Sequence, residues 1–272
     1  MKKISFYILS IGLFSLSSCS LFELDNYEAP AETLQGNVVD AATGAPVLTD
    51  QGSEGIRVRL TELSWGDNVT PNDFYCMPTG EFQNTKLFKA KYNVRVDGPF
   101  IPLLREDDRG VPLADETQTL DVSGNTQVTF EVQPFLKVEW VGTPEVINGR
   151  IRAQMRVTRG VSPEDFRAKI EPMGGYSVSF LNVTDIQLFV SYSSSVGYRA
   201  RDERYSSKIE YSGAAFNSML GQTIMIESSA ANIVPSGRSV FVRAAARINY
   251  DTPKGSGTRR WNYNEAVQVI IP

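Results

Sequence analysis

The chain has 272 residues, with two cysteines, no histidine, 27 Lys or Arg and 31 Asp or Glu, for a net charge of −4. Without histidine, Ser-His-Asp and Cys-His catalysis and the usual zinc or iron sites are excluded, and the acidic balance argues against a nucleic-acid partner, since such binders carry a basic surplus. Carboxylate pairs of the glycosidase type and oxygen-only calcium sites survive that exclusion.

Lys2 and Lys3 precede an apolar stretch from Ile4 to Leu16, 13 residues broken only by serines and one glycine, followed by the small pair Ser17 and Ser18. A helix that spans a hydrocarbon core needs about 20 apolar residues, so residues 1–18 read as a cleaved signal peptide. Leu16, Ser17, Ser18 and Cys19 resemble the bacterial lipobox, in which the cysteine is lipidated and becomes the new amino terminus. A plain secretory signal with a chance cysteine is the alternative. The resemblance implies a protein anchored through Cys19 to a membrane it does not cross, because two or more acyl chains hold firmly. Residues 19–31 carry Glu23, Asp25, Glu28 and Pro30, which suits a solvated tether. Acids just after the lipid site also resemble the surface-export signals of Bacteroidetes lipoproteins, implying an outer-membrane anchor that faces the cell surface; the periplasmic leaflet is the alternative. Removal of Lys2 and Lys3 leaves 25 basic against 31 acidic side chains, a mature charge of −6. Once Cys19 is lipidated no intramolecular disulfide can form, and Cys76 reads as a buried small hydrophobe.

From residue 32 to 133, short runs alternate with a period of two between Gly, Pro, Asn and Asp. Ile56, Val58 and Leu60 share one strand face, as do Tyr92, Val94 and Val96, and Val128, Phe130 and Val132. With Leu34 to Asp40 and Glu81 to Phe88, these predict an antiparallel β-sandwich. The segments "LQGNVVDAATGAPV", "GIRVRLTEL" and "PTGEFQNTKLFKAKYNVRVDGP" resemble the carboxypeptidase-regulatory-like or transthyretin-like domain, with Ala90 where that family usually has glycine. The resemblance implies a noncatalytic accessory module. In physical terms Gly44 takes a positive-φ turn position, Gly80 turns the next hairpin, and Phe82 and Tyr92 fill the core.

Pro134 marks the joint to a second unit, residues 134–272. Leu136, Val138 and Trp140 alternate with Lys137 and Glu139, and Ile151, Ala153, Met155 and Val157 with Arg150, Arg152, Gln154 and Arg156. Ile186 to Val190, Val240 to Ile248 and Val267 to Ile271 add further strands. They predict a second sandwich, immunoglobulin- or fibronectin-like, so that the whole is an all-β chain of two tandem antiparallel β-sandwiches. Within it "SPEDFRAKIE" predicts a short helix, with Ser162 as cap and Pro163 at the first helical position. Over its full length the chain resembles the domain-of-unknown-function family 3823 of gut Bacteroidetes, through "LDNYEAP", "DQGSEGIRVRLTELSW", "FQNTKLF" and "VPSGRSVFVRAAARINY". Members of that family are typically encoded beside SusC-like and SusD-like outer-membrane glycan importers, which implies a glycan-capture role and such proteins as partners.

Three stretches hold candidate glycan-binding residues, because sugars are gripped by flat aromatic faces and by planar polar side chains. In residues 191–211 these are Tyr198, Tyr205, Arg199, Arg201 and Asp202, against the alternative that the tyrosines pave an edge hairpin. Trp65 and Tyr75 bracket a Gly-, Asn- and Pro-rich loop, with core plugging by Trp65 as the alternative. Trp261, in "KGSGTRRWNY", suits either a platform on a mobile final hairpin or a core anchor. The acids of "REDD" and Asp115 with Glu116 lack the spacing of an EF-hand-type loop, so no metal or cofactor is expected. Arg150, Arg152, Arg156, Arg243 and Arg247 are expected on solvated outer strand faces. The expectation is a lipid-anchored, noncatalytic glycan-binding accessory protein. A structural or adhesive surface protein is the alternative, and a carboxylate-based glycosidase a further one.

Overall fold

The computed structural model of the chain describes residues 28–272 apart from 65, 67 and 68. Cys19, the signal segment and Trp65 lie outside the described residues. Those described form 18 strands and one α-helix, with three short 3-10 turns.

The first nine strands are β1 (Glu32–Asp40), β2 (Arg57–Glu62), β3 (Asn72–Tyr75), β4 (Glu81–Leu87), β5 (Ala90–Asp97), β6 (Leu104–Glu106), β7 (Pro112–Asp115), β8 (Gln118–Val122) and β9 (Asn125–Val132). They build two facing sheets, β4-β1-β9 and β3-β2-β5-β8, with β6-β7 as a separate hairpin. The period-two pattern explains the packing, since Val58, Leu60, Val94, Val96, Phe130 and Val132 all point into one core with Leu34, Phe82 and Tyr92. Cys76 lies in that core. One pairing among the described strands departs from the antiparallel expectation: β1 runs parallel to β9, Thr33 opposite Asn125 through Asp40 opposite Val132. The two are the first and last strands of the layer, so the rest of the unit serves as the long crossover that parallel neighbours need. Gly36 permits the close approach, because a Cβ there would sit 2.1 Å from the Val128 carbonyl oxygen.

The remaining strands are β10 (Leu136–Trp140), β11 (Glu145–Ile147), β12 (Arg150–Arg159), β13 (Val183–Ser191), β14 (Ser207–Glu210), β15 (Thr223–Glu227), β16 (Ser239–Ile248), β17 (Asn262–Tyr263) and β18 (Val267–Ile270). One sheet runs β10-β12-β11 with β15 on the other side of β12; the second runs β14-β13-β16-β17 with β18 also on β16. Ile151, Ala153, Met155 and Val157 meet Ile186, Leu188, Val190, Val242 and Ala244 between them. Helix α1 (Pro163–Ile170) forms as its cap predicts, the Ser162 hydroxyl accepting from Asp165 N at 3.0 Å. It buries Phe166 edge-on against Phe135 and Tyr250, with ring centroids 5.8 and 5.5 Å away. Full burial of a side chain of that size contributes about 2 kcal/mol. No helix of the described residues is long and apolar enough to cross a membrane.

Candidate functional site: the cleft between the sandwiches

The two sandwiches meet through a third apolar cluster, Phe189, Val196, Ala245, Trp261 and Tyr263, with Leu48 of the first unit packed against it. Around this cluster buried polar side chains of the second unit bind backbone of the first. Arg243, only 3% exposed, donates to Thr49 O at 2.8 Å and Pro78 O at 3.3 Å, and its Nε donates to Asn264 O at 2.7 Å. Its guanidinium lies 4.4 Å from the Tyr263 ring centre, and burial pulls its pKa down to about 10. Arg260 donates to Ser53 O at 2.7 Å and to Gly55 O. Asn262 Nδ2 donates to Pro99 O at 3.0 Å, and the Tyr263 hydroxyl donates to Asp50 Oδ2 at 2.9 Å. Burial, with the Asp50 carboxylate beside it, raises the Tyr263 hydroxyl well above the ordinary phenolic range.

This geometry revises several sequence expectations. Arg243 is no solvated surface residue: the outer face of β16 that carries it is covered by the first sandwich. Trp261 is a core anchor and not a platform; it is 1% exposed, edge-on to Phe189 at 5.7 Å and capped by the Arg247 guanidinium at 4.5 Å. The segment Arg260 to Asn264 is buried at the junction, while Lys254 to Gly257 of the same stretch are exposed. Tyr205 is 5% exposed within the second core, which removes it from any surface site. Tyr198 is half-buried against the junction cluster under the Arg201 guanidinium, 4.2 Å from its ring centre. Arg199 is tied to the first sandwich, its backbone N to Asp50 Oδ2 at 3.1 Å and its side chain to Ser53 Oγ at 3.2 Å. Arg201 pairs with Glu203 at 2.6 Å, and Asp202 with Arg204 at 2.7 Å. The polar groups of this loop are therefore engaged with one another or with the junction, and the structure does not assemble these residues into an open site. Tyr75 is exposed (37%) at the end of β3, opposite Arg57. Asp107, Asp108 and Glu116 pair with Arg109, Lys254 and Arg105. Among the described residues no group of three or more acidic, cysteine or histidine side chains could hold a metal ion.

What the junction does create is a cleft of about 590 Å³ between the Asp40–Leu48 turn, strand β10 and the Asn262–Glu265 segment. Its volume falls within the range of small-ligand sites, roughly 300–1,000 Å³. The first wall is the turn after β1, where Gly44 takes φ +70° and donates to Asp40 O at 2.7 Å. The opposite wall carries Trp140, half-buried against the second core, with its indole nitrogen donating to Glu265 O at 3.0 Å so that the ring is held in place. Lys137 spans the walls, its Nζ 2.6 Å from Asp40 Oδ2. Burial raises the Asp40 carboxyl, but hydrogen bonds from Lys137, Ala42 N and Thr43 outweigh it and leave the group below the ordinary carboxylate range. Asn264 lines the cleft at 4% exposure; its Oδ1 accepts from Ala244 N at 2.8 Å, and its Nδ2 has no partner among the described residues. Glu139 and Glu265 stand exposed at the lining. An aromatic wall, an amide and acceptor carboxylates around a concave opening can hold a polyhydroxylated ligand. Sequence reasoning placed Trp140 only as a strand residue. The missed signal is "WNYNE", where the uncharged Asn262 and Asn264 alternate with Trp261 and Tyr263, so that no charged side chain marks one face of the strand as outward, and both faces are buried.

The fold is a tandem β-sandwich with its cleft at the junction. The model for the N-terminal domain of the protein of unknown function DUF3823 matches residues 32–133. A crystal structure of a DUF3823 family protein from Bacteroides uniformis is 67% identical, with TM-score 0.87, over 89% of this chain and 100% of that one. The chain belongs to the DUF3823 family. Two more distant structures share the fold over 89% of this chain and 100% of each of theirs. One is a "putative carbohydrate binding protein" from Bacteroides uniformis (20% identity, TM-score 0.64), the other a DUF3823 family protein from Parabacteroides merdae (15%, 0.60). No curated protein matches the chain.

Proposed function

We propose that the chain is a noncatalytic glycan-binding lipoprotein, anchored through Cys19 at the outer membrane, facing the cell surface and serving a SusC/SusD-like importer. The observation that carries the reading is the junction cleft, with Trp140 fixed on one wall and amide and carboxylate groups around it. The description of the Bacteroides uniformis neighbour as a "putative carbohydrate binding protein" supports the same class. The lipobox at residues 16–19 supports the anchor, and the absence of histidine supports a binding role over catalysis. Glycan-array screening followed by calorimetric titration of the mature lipoprotein in detergent tests it. A sugar whose affinity falls about tenfold in Trp140→Ala, and is largely kept in Trp140→Phe, is the expected result, since an aromatic contact of this kind is worth roughly 1 kcal/mol or more. Binding of no glycan, with copurification of a protein partner, refutes the reading in favour of an adhesive or assembly role. Release of reducing sugar by the purified protein refutes the noncatalytic part. An unmodified amino terminus in the native protein refutes the anchor.

A further inference from the structure

We infer that the junction cleft accepts uncharged sugars and turns away glycans that carry uronate or sulfate, an inference that rests on the glycan-binding reading above. The charge of the lining decides it. Of the residues around the cleft, Asp40, Glu139 and Glu265 are acidic and Lys137 alone is basic. That single cation is already engaged, its Nζ lying 2.6 Å from Asp40 Oδ2. Glu139 and Glu265 make no ion pair among the described residues, and both are exposed to an incoming ligand.

No other cation lines the cleft. Arg156 stands opposite Glu139 on β12, yet it is not part of the lining and makes no ion pair among the described residues. Arg243 is near the same wall, but its guanidinium points at Thr49, Pro78 and Asn264 carbonyls behind the Tyr263 ring. Turning Lys137 toward a ligand anion would strand Asp40, which is 7% exposed and draws on that ammonium group. A buried carboxylate that loses its partner is heavily penalised.

The polar groups left over suit hydroxyls. Carboxylates accept hydrogen bonds from neutral O–H donors in charge-assisted contacts stronger than neutral ones. Beneath the lining the Asn264 Oδ1 is held by Ala244 N, while its Nδ2 is buried without a partner among the described residues. A sulfate or uronate would instead meet two acids in a lining whose one cation is already paired, and like-charge juxtaposition of this kind is how sites exclude wrong partners. The mature chain's overall charge of −6 acts in the same direction at longer range.

The test compares matched ligands on the mature lipoprotein in detergent at low salt: xylo-oligosaccharides with and without glucuronosyl branches, galactan fragments with and without sulfate, and an array holding further neutral, uronate and sulfated glycans. The expected result is that each bound neutral sugar loses about tenfold in affinity when it carries the acidic group, and that the gap narrows to about threefold or less in the Glu139→Gln/Glu265→Gln double variant and in raised salt. Both residues are exposed, so the double variant keeps the wild-type melting temperature. Equal or tighter binding of the acidic member by the wild type overturns the inference while glycan capture stands. A gap that the double variant leaves unchanged overturns it too, and failure of every sugar overturns it together with the proposed function.

Discussion

Arg243→Met is the sharpest test of the junction, because it removes the cation while keeping an unbranched apolar stem in the same slot. Four carbonyls lose a charged donor: Thr49 O at 2.8 Å, Asn264 O at 2.7 Å and Pro78 O at 3.3 Å carry most of the loss, and Val196 O at 3.4 Å is too long to add much. At roughly 2 kcal/mol for each bond to a charged donor, the gross loss is about 6 kcal/mol. Against it stands the penalty for burying a guanidinium, visible as a pKa brought down to about 10 and amounting to roughly 3 kcal/mol. The net expectation is a loss of about 3 kcal/mol, which for a chain of this length lowers the melting temperature by about 6–12 °C. Differential scanning calorimetry reads both the shift and its form. The wild type should unfold in one transition because the sandwiches share a buried seam, and the variant should separate into two. A fall of less than about 2 °C, with a single transition retained, would refute the claim that this arginine ties the units together.

Burial drives the Cys76 thiol up to about 12, so Ellman's reagent at pH 8 should leave it untouched in the native protein and titrate it fully in guanidinium chloride; rapid native reaction would contradict its place in the first core. Asp185 is pushed up by burial but held lower overall by hydrogen bonds from Arg247, 2.8 Å away, and Thr184. A carboxyl lowered on folding contributes stability that is present above its unfolded value and lost as pH falls through the folded one. Urea midpoints should therefore drop below about pH 4, and Asp185→Asn should flatten that drop while lowering the midpoint at pH 7. An unchanged pH profile in the variant would count against the ion pair. Gly36→Ala forces a Cβ to within 2.1 Å of Val128 O, so β1 and β9 must separate locally; a loss of about 1–3 kcal/mol in denaturant titration is expected, and a neutral result would show that the parallel pair yields freely.

The strands were legible because most are half-buried. In β9, Val128, Phe130 and Val132 are buried while Gln127, Thr129 and Glu131 are not, so the period of two survives intact. Helix α1 was legible from Ser162 and Pro163, since capping is local chemistry. The candidate site was not legible, because burial at the junction depends on a partner more than a hundred residues away. Arg243 sits on the outward face of β16 by its alternation, and nothing local announces that the first sandwich lies over it. The available clue was the run Ala244, Ala245, Ala246, in which small apolar residues occupy both faces, the signature of a strand covered on both sides. Tyr205 and Trp261 misled for the related reason that aromatics among arginines suit a sugar platform and a cation-capped core equally well.

Only Gln133 to Phe135 separate β9 from β10, and Pro134 is bridged to Phe100 across that joint. So short and pinned a connection restrains the walls of the cleft from swinging apart. Recognition should then follow lock-and-key kinetics, with a single association phase whose rate rises linearly with ligand concentration and no slower closing step.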